Sequence, residues 1–266
     1  MSEERETGEP HGATDAAGGV AVSRAPVYRE RPARPAGAVL WTNAPRPPAR
    51  PVLPDGCTDL IWHQGRLLVA GPDTGPHFPD DIPPGPLSHG ADGTGGAPTV
   101  GLRFAPGQGP AVFGVPAHEL RNLRVPLTDL WPEGEVRELT ERAAAAGAPG
   151  RVLEQAALAR LRAAGGTDGR TAAIAAALAG GRPVAEVARL AGMGERRLHR
   201  HSLDVFGYGP KTLARVLRLV RALDLARTGM PYAMVAARAG YADQAHLARE
   251  VKSLAGAPMG VLLRSG

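Results

Sequence analysis

VARLAGMGERRLHRH runs from Val187 to His201, and VAARAGYADQAHLARE runs from Val235 to Glu250, forty-eight positions further on. The two read as copies of one pattern. In the first, Val184, Val187, Ala188 and Ala191 fall at i, i+3, i+4 and i+7, which lines one face of a short helix. Gly192 supplies a residue that can leave that helix with positive φ. A second helix is expected from near Glu195, with Leu198 and Val205 turned back on the first and Arg196, Arg197, His199 and Arg200 left outside. The second copy repeats this with Val235, Ala236, Ala239 and Gly240, then a helix from about Asp243 carrying Gln244, His246 and Arg249. Its turn reads as one residue longer, because Leu247 stands seven positions after Gly240 where Leu198 stands six after Gly192. A short helix, a Gly-containing turn and an exposed basic helix suit a unit that lays its second helix in a major groove.

Between the copies, Gly209-Pro210-Lys211 opens a longer helix to about Arg227, since Pro is tolerated at the first helical position. Leu213, Val216, Leu217, Val220 and Leu223 are its expected apolar face, and Gly229 closes it. A stiff helix between two reading heads fixes their separation. A separation of about 34 Å, one turn of B-DNA, lets both recognition helices enter successive major-groove segments on one face. Charge points the same way: residues 181–266 hold 14 Lys plus Arg against 6 Asp plus Glu, net +8, whereas residues 1–180 hold 17 against 20, net −3. Clustered cations displace the counterions condensed on phosphates.

The stretch from Arg182 to Arg264 resembles the tandem helix-turn-helix domain of the AraC family of transcription regulators. The resemblance rests on the V-A-x-x-A-G turn, FGYGPK at Phe206–Lys211, GYADQAHLAR at Gly240–Arg249 and GAPM at Gly256–Met259. It implies Arg196, His199 and Arg200 as base-facing positions of the first recognition helix, and Gln244, Ala245 and Arg249 as those of the second. The chemistry is apt: Arg bonds bidentately to guanine and Gln to adenine, each pair worth about 1–3 kcal/mol of discrimination, while Ala245 offers only a methyl group. Arg197 and His246 are further candidates beside them. Lys211 and Lys252 fit phosphate contacts or simply solvated positions. The sequence departs from the family at Ser202, where a large apolar residue would anchor the first recognition helix, and at Val251, smaller than the usual aromatic. Leu203 and Phe206 are available to fill the first gap. Implied partners are double-stranded operator or promoter DNA, with a small-molecule effector, RNA polymerase and a second copy of the chain as further candidates.

At 266 residues, 43% apolar and 4% aromatic, the chain is long enough for two domains with cores of their own. Its single cysteine, Cys57, leaves no intramolecular disulfide. No run of about 18 apolar residues appears and the acidic start lacks a signal-peptide pattern, so the cytoplasm is the expected compartment. Residues 1–26, Gly- and Ala-rich without an apolar period, are expected to be disordered. Up to Pro51 closely spaced prolines argue against regular structure, except for a strand over Ala38–Thr42. Thr58–His63 and Arg66–Ala70 flank Gln64-Gly65 as a hairpin, preceded by Pro54-Asp55-Gly56 as a turn. Gly71–Pro98 reads as a long loop, and Thr99–Phe104 as a further strand.

From Pro116 the period becomes helical: Pro116–Leu123, Trp131–Ala145, Arg151–Ala164 and Arg170–Ala179. Leu153, Ala157, Leu158 and Leu161 share a face that serves internal packing or a dimer contact, packing being the expected use. The expected class is therefore α+β. A β-rich sensor or dimerisation domain over 27–131 is followed by a helical connector over 132–180 and the all-α tandem domain over 181–266, its two units joined by a linker helix.

PDGCTDLIW at Pro54–Trp62, AGP at Ala70–Pro72, GLRFAPG at Gly101–Gly107 and VPLTDLW at Val125–Trp131 resemble an uncharacterised domain found ahead of AraC-type readers in actinobacterial-style proteins. That resemblance names no ligand. Cys57 with His63 can be drawn as nucleophile and base, and Asp55 with Asp59 as paired carboxylates. Neither pair has a third orienting group at a sensible spacing, so no catalytic residue is assigned. The spacings of His63, His77, His89 and His118 match no metal-binding pattern, and neither a metal nor a cofactor is expected. Arg103 lies on the opposite strand face from Leu102 and Phe104: it is plain surface if those two face the core, or an anchor for an anionic effector if the strand lines a barrel. Cys57 is a second candidate there, as a thiol-reactive sensor.

Overall fold

The computed structural model describes residues 28–43, 51–78 and 98–264. The expected tail over 1–26 and much of the loop before Thr99, with His89, lie outside them. Six strands form one antiparallel sheet: β1 (Tyr28–Pro32), β2 (Val39–Asn43), β3 (Thr58–His63), β4 (Arg66–Ala70), β5 (Thr99–Phe104) and β6 (Arg124–Pro126), in spatial order β1-β2-β5-β3-β4-β6. The β3–β4 hairpin turns at Gln64 and Gly65, both at positive φ (48° and 76°), as a two-residue turn matched to strand twist requires. The Pro54–Cys57 turn is closed by the Asp55 carboxylate, which accepts from the Cys57 amide at 2.9 Å.

Two strands depart from expectation. β1 forms despite the prolines because among the described residues it pairs only with β2, and an edge strand tolerates Pro32 at its end. β6, three residues long, is held by its pairing to β4. The helix expected over Pro116–Leu123 shrinks to a 3₁₀ turn at Ala117–Leu120, with another at Leu127–Asp129 and a short helix α1 at Gly109–Phe113.

Strand alternation puts Leu60, Trp62, Leu67, Val69, Val100, Leu102 and Phe104 on one face, where they meet Val112 and Phe113 of α1. The same cluster takes in Val136, Leu139 and Ala143 of α2 (Glu133–Ala145) and Leu153, Ala157 and Leu161 of α3 (Pro149–Ala163). Each fully buried side chain of this size contributes about 1.5–3 kcal/mol of transfer free energy, so α2 and α3 are the other half of the sheet's core. α4 (Gly169–Ala179) belongs elsewhere: its Ile174 and Leu178 pack with α5 (Val184–Leu190), α6 (Glu195–Phe206) and the first half of α7 (Pro210–Arg227). The helices read as a connector thus divide between two cores.

The second half of α7 forms a third cluster with α8 (Tyr232–Ala239), α9 (Gln244–Ala255) and Met259 of α10 (Met259–Arg264). Leu213 and Val216 serve the first unit, and Leu219, Ala222, Leu223 and Ala226 the second. Leu217 and Val220, expected in the apolar face, are only half-buried, because a helix shared by two cores turns two different sectors inward. Among the described residues no helix is long and apolar enough to cross a membrane.

Candidate nucleic-acid interface

Each helix-turn-helix unit places four residues between its two helices, 191–194 in the first and 240–243 in the second. The longer second turn expected from the glycine spacing does not appear, because α8 continues to the glycine whereas α5 stops at Leu190. Gly240 itself caps α8 at φ 82°, and Gly192 follows the Ala191 cap at φ 66°.

In α6, Leu198, Ser202 and Phe206 recur every four residues and are buried, which leaves Arg196, Arg197, His199 and Arg200 exposed on the N-terminal half. Ser202 is fully buried and its hydroxyl has no hydrogen-bond partner among the described residues. Phe206, also buried, supplies the apolar bulk there. His199 leans on the chain after the helix: a methyl group at Gly209 would fall 2.8 Å from its Nε2.

α9 starts at Asp243, whose carboxylate accepts from the His246 amide at 2.6 Å, a side-chain cap that satisfies one orphan N–H. Leu247, Val251, Leu254 and Ala255 face inward, and Gln244, Ala245, Arg249 and Lys252 are exposed. His246 is only half-exposed. Its ring stands edge-on to Tyr241 at 5.3 Å and its Nδ1 accepts from the Ala242 amide at 3.3 Å, so it braces its own turn.

The charges of the reader fall into two sets. Arg215 reaches Glu250 through two hydrogen bonds, and Arg218 sits 3.8 Å from the same carboxylate, 4.6 Å over the Tyr241 ring and in hydrogen-bond contact with the Gly240 carbonyl. Hydrogen bonding from Arg215 holds the Glu250 carboxyl below its usual range. Sequence reading missed this cluster; the one signal was an acidic residue directly after Arg249 in an otherwise basic helix. Arg196, Arg197, Arg200, Lys211, Arg249 and Lys252, by contrast, have no carboxylate partner among the described residues. The cations at the expected DNA-facing positions are free, and those of the linker helix at Arg215 and Arg218 are committed to packing.

The N-terminal domain docks on the other half of α6. Asp204 lies 3.6 Å from His118, and Arg121 approaches the Gly207 carbonyl at 3.4 Å, while His201 Nε2 lies 3.3 Å from Thr171 Oγ1 of α4, within the reader's own core. Tyr208 is buried against this interface. Its hydroxyl is pushed well up by burial, and the carboxylates of Asp55 and Asp73 add to the shift.

On the sheet, Leu102 and Phe104 do face the core, and Arg103 takes the opposite face. It is not plain surface: its Nε lies 3.4 Å from Asp55 and 3.5 Å from Asp59, and Asp59 also accepts from the Trp41 indole at 2.6 Å. Two carboxylates thus neutralise the one guanidinium. Burial pushes the Cys57 thiol up, helped by Asp55, and raises Asp59 despite Arg103. Cys57 and His63 sit at opposite ends of β3, about 20 Å apart at 3.3 Å per residue, and His63 Nδ1 is bonded to Thr99 Oγ1 at 2.7 Å. Among the described residues no three His, Cys, Asp or Glu side chains converge as a metal site.

Residues 187–265 match the model of a helix-turn-helix domain family, and residues 38–126 that of a domain family of unknown function. Residues 187–265 are an AraC-type helix-turn-helix domain. No curated protein matches the chain. Among solved structures, ToxT from Vibrio cholerae aligns with 90% of this chain and 98% of its own, at 8% identity and a TM-score of 0.42. Its form bound to an unsaturated fatty acid aligns with 84% and 90%, at 10% identity and 0.41. Similarity this low fixes neither ligand nor mechanism.

Proposed function

We propose that both units read one DNA duplex in a sequence-specific way, with α6 and α9 in successive major-groove segments. The observation that carries this reading is the free set of cations on the outer edges of α6 and α9, beside Arg215 and Arg218 of the linker helix, which Glu250 holds. Arg196, His199 and Arg200 face bases in the first unit, and Gln244, Ala245 and Arg249 in the second, with Arg197 beside them. Lys211 and Lys252 hold phosphates. Lys211 lies in the first turn of the 18-residue α7, where the positive end of the helix dipole adds to its charge. His246 acts by bracing the turn that presents Gln244.

The N-terminal domain takes the role of a sensor whose ligand, a small molecule, biases the docked reader. RNA polymerase and a second copy of the chain are the protein partners of such a regulator, and its compartment is the cytoplasm. The protein works by binding and performs no chemistry. Competition of operator fragments, selected with the purified protein, against random duplex tests this reading. Arg200→Ala and Arg249→Ala should each lose about 1–3 kcal/mol on the selected site with little change on random DNA. Equal losses on both would replace base reading by charge-driven architectural binding, which a steep salt slope without sequence preference would also mark.

A further inference from the structure

Both recognition helices end on a left-handed glycine, Gly207 at φ 84° for α6 and Gly256 at φ 71° for α9. Both glycines lie against a proline of one short loop. A methyl group at Gly207 would fall 2.5 Å from Pro72 Cγ, and one at Gly256 would fall 3.2 Å from Pro76 Cγ. Pro72 and Pro76 are four residues apart, a reach of at most about 14 Å for extended chain.

That loop is anchored in the N-terminal domain. Asp73 receives Arg124 of β6 through two hydrogen bonds of 3.0 and 2.5 Å, with both side chains only 10% exposed. The amide and hydroxyl of Thr74 donate to Asn122 Oδ1 at 2.8 and 3.1 Å, and the Asn122 amide donates back to the Pro72 carbonyl at 3.1 Å. At its far end His77 pairs with Val52 through backbone bonds of 2.7 and 2.9 Å, and Leu53 packs on the core of the second unit. Proline's fixed φ stiffens the two contact points. Within the reader itself, the covalent connection between the units is α7, flanked by Gly207 and Gly209 at one end and Gly229 at the other.

We propose that Pro72 and Pro76 are positioning residues for DNA reading: the 72–76 strap ties the ends of both recognition helices to the sensor sheet and sets the half-site spacing that the protein accepts. This rests on the proposed two-headed reading. With the strap in place the heads are a rigid pair, and only a duplex with matched spacing engages both. Releasing the strap leaves two good heads on a looser joint.

The test uses full-length protein on the selected operator and on the same operator with two base pairs inserted between its half-sites. Two linked heads gain about 10²–10⁴-fold over one, and lose that gain where geometry forbids joint engagement. The wild type should therefore lose at least about tenfold on the inserted site, by the same effective-concentration argument. Pro72→Gly/Pro76→Gly and Asp73→Asn should shrink that penalty severalfold while binding each isolated half-site like the wild type. Pro76→Ala, at an exposed position, keeps the comparison available should the double variant not fold. An unchanged spacing penalty in folded variants overturns the strap. A wild type that does not prefer its operator to random duplex overturns the two-headed reading itself, and the strap's role with it.

Discussion

Arg215 of the linker helix and Glu250 of the second recognition helix are joined by two hydrogen bonds, Nε to Oε2 at 2.9 Å and Nη2 to Oε1 at 3.1 Å. Glu250 directly follows Arg249, so this pair fixes the rotation of the helix that presents Arg249. Arg215 holds the Glu250 carboxyl below its usual range. The stability it brings is therefore full above the unfolded carboxyl pKa, about 4.3, and is lost as pH falls through the lower folded value. Glu250→Gln should cost about 1–2 kcal/mol at neutral pH, the partly exposed pair being screened by solvent. The difference from wild type should narrow in denaturant melts repeated at acidic pH. A constant difference would show that the charge of Glu250 is irrelevant.

Ser202 is fully buried, its hydroxyl without a hydrogen-bond partner among the described residues, and an unsatisfied buried hydroxyl costs about 1–3 kcal/mol. Ser202→Ala should leave stability unchanged or raise it by up to about 1 kcal/mol in the same melts. A clear loss would mean that the hydroxyl is satisfied in solution.

Gly101 lies beneath the Trp41 ring: a methyl group there would fall 2.2 Å from ring carbons. Gly101→Ala must displace the indole from its 2.6 Å bond to Asp59, at a cost of about 1–3 kcal/mol for overpacking. The variant should show a lowered melting midpoint together with an altered tryptophan emission spectrum. An unchanged spectrum would place Trp41 elsewhere.

Much of the reader is written in its punctuation. Gly192, Gly209-Pro210, Gly229 and Gly240 mark helix ends by what their backbones permit, and Leu198 and Leu247 set the inward faces of α6 and α9. The expected face of α7 departs from the structure at Val220, while Leu217 packs half-buried on the first core, because a single period assumes a single neighbour and α7 has two. β1 and β6 carry little signal of their own, since their pairing to β2 and β4 decides them. Alternation placed Arg103 on the correct strand face, but its partners Asp55 and Asp59 come from the preceding turn and a neighbouring strand. The Pro72–Gly207 and Pro76–Gly256 contacts, more than a hundred residues apart in sequence, left no local trace.

Lys211 and Lys252, without carboxylate partners among the described residues, are proposed to hold phosphates. Lys211→Ala or Lys252→Ala should weaken operator and random duplex alike and lower the slope of log affinity against log salt by about one unit. Binding measured across a salt series checks this. A loss confined to the operator would move either residue to the base-reading set.

The central claim is that two reading heads engage one duplex together, and sequencing the fragments that full-length protein retains from a random DNA pool tests it most directly. The account predicts two enriched blocks of bases, centred about 10–10.5 base pairs apart, with Arg249→Ala relaxing preference in one block only. Fragments with a single block, or retained without sequence preference, would contradict it.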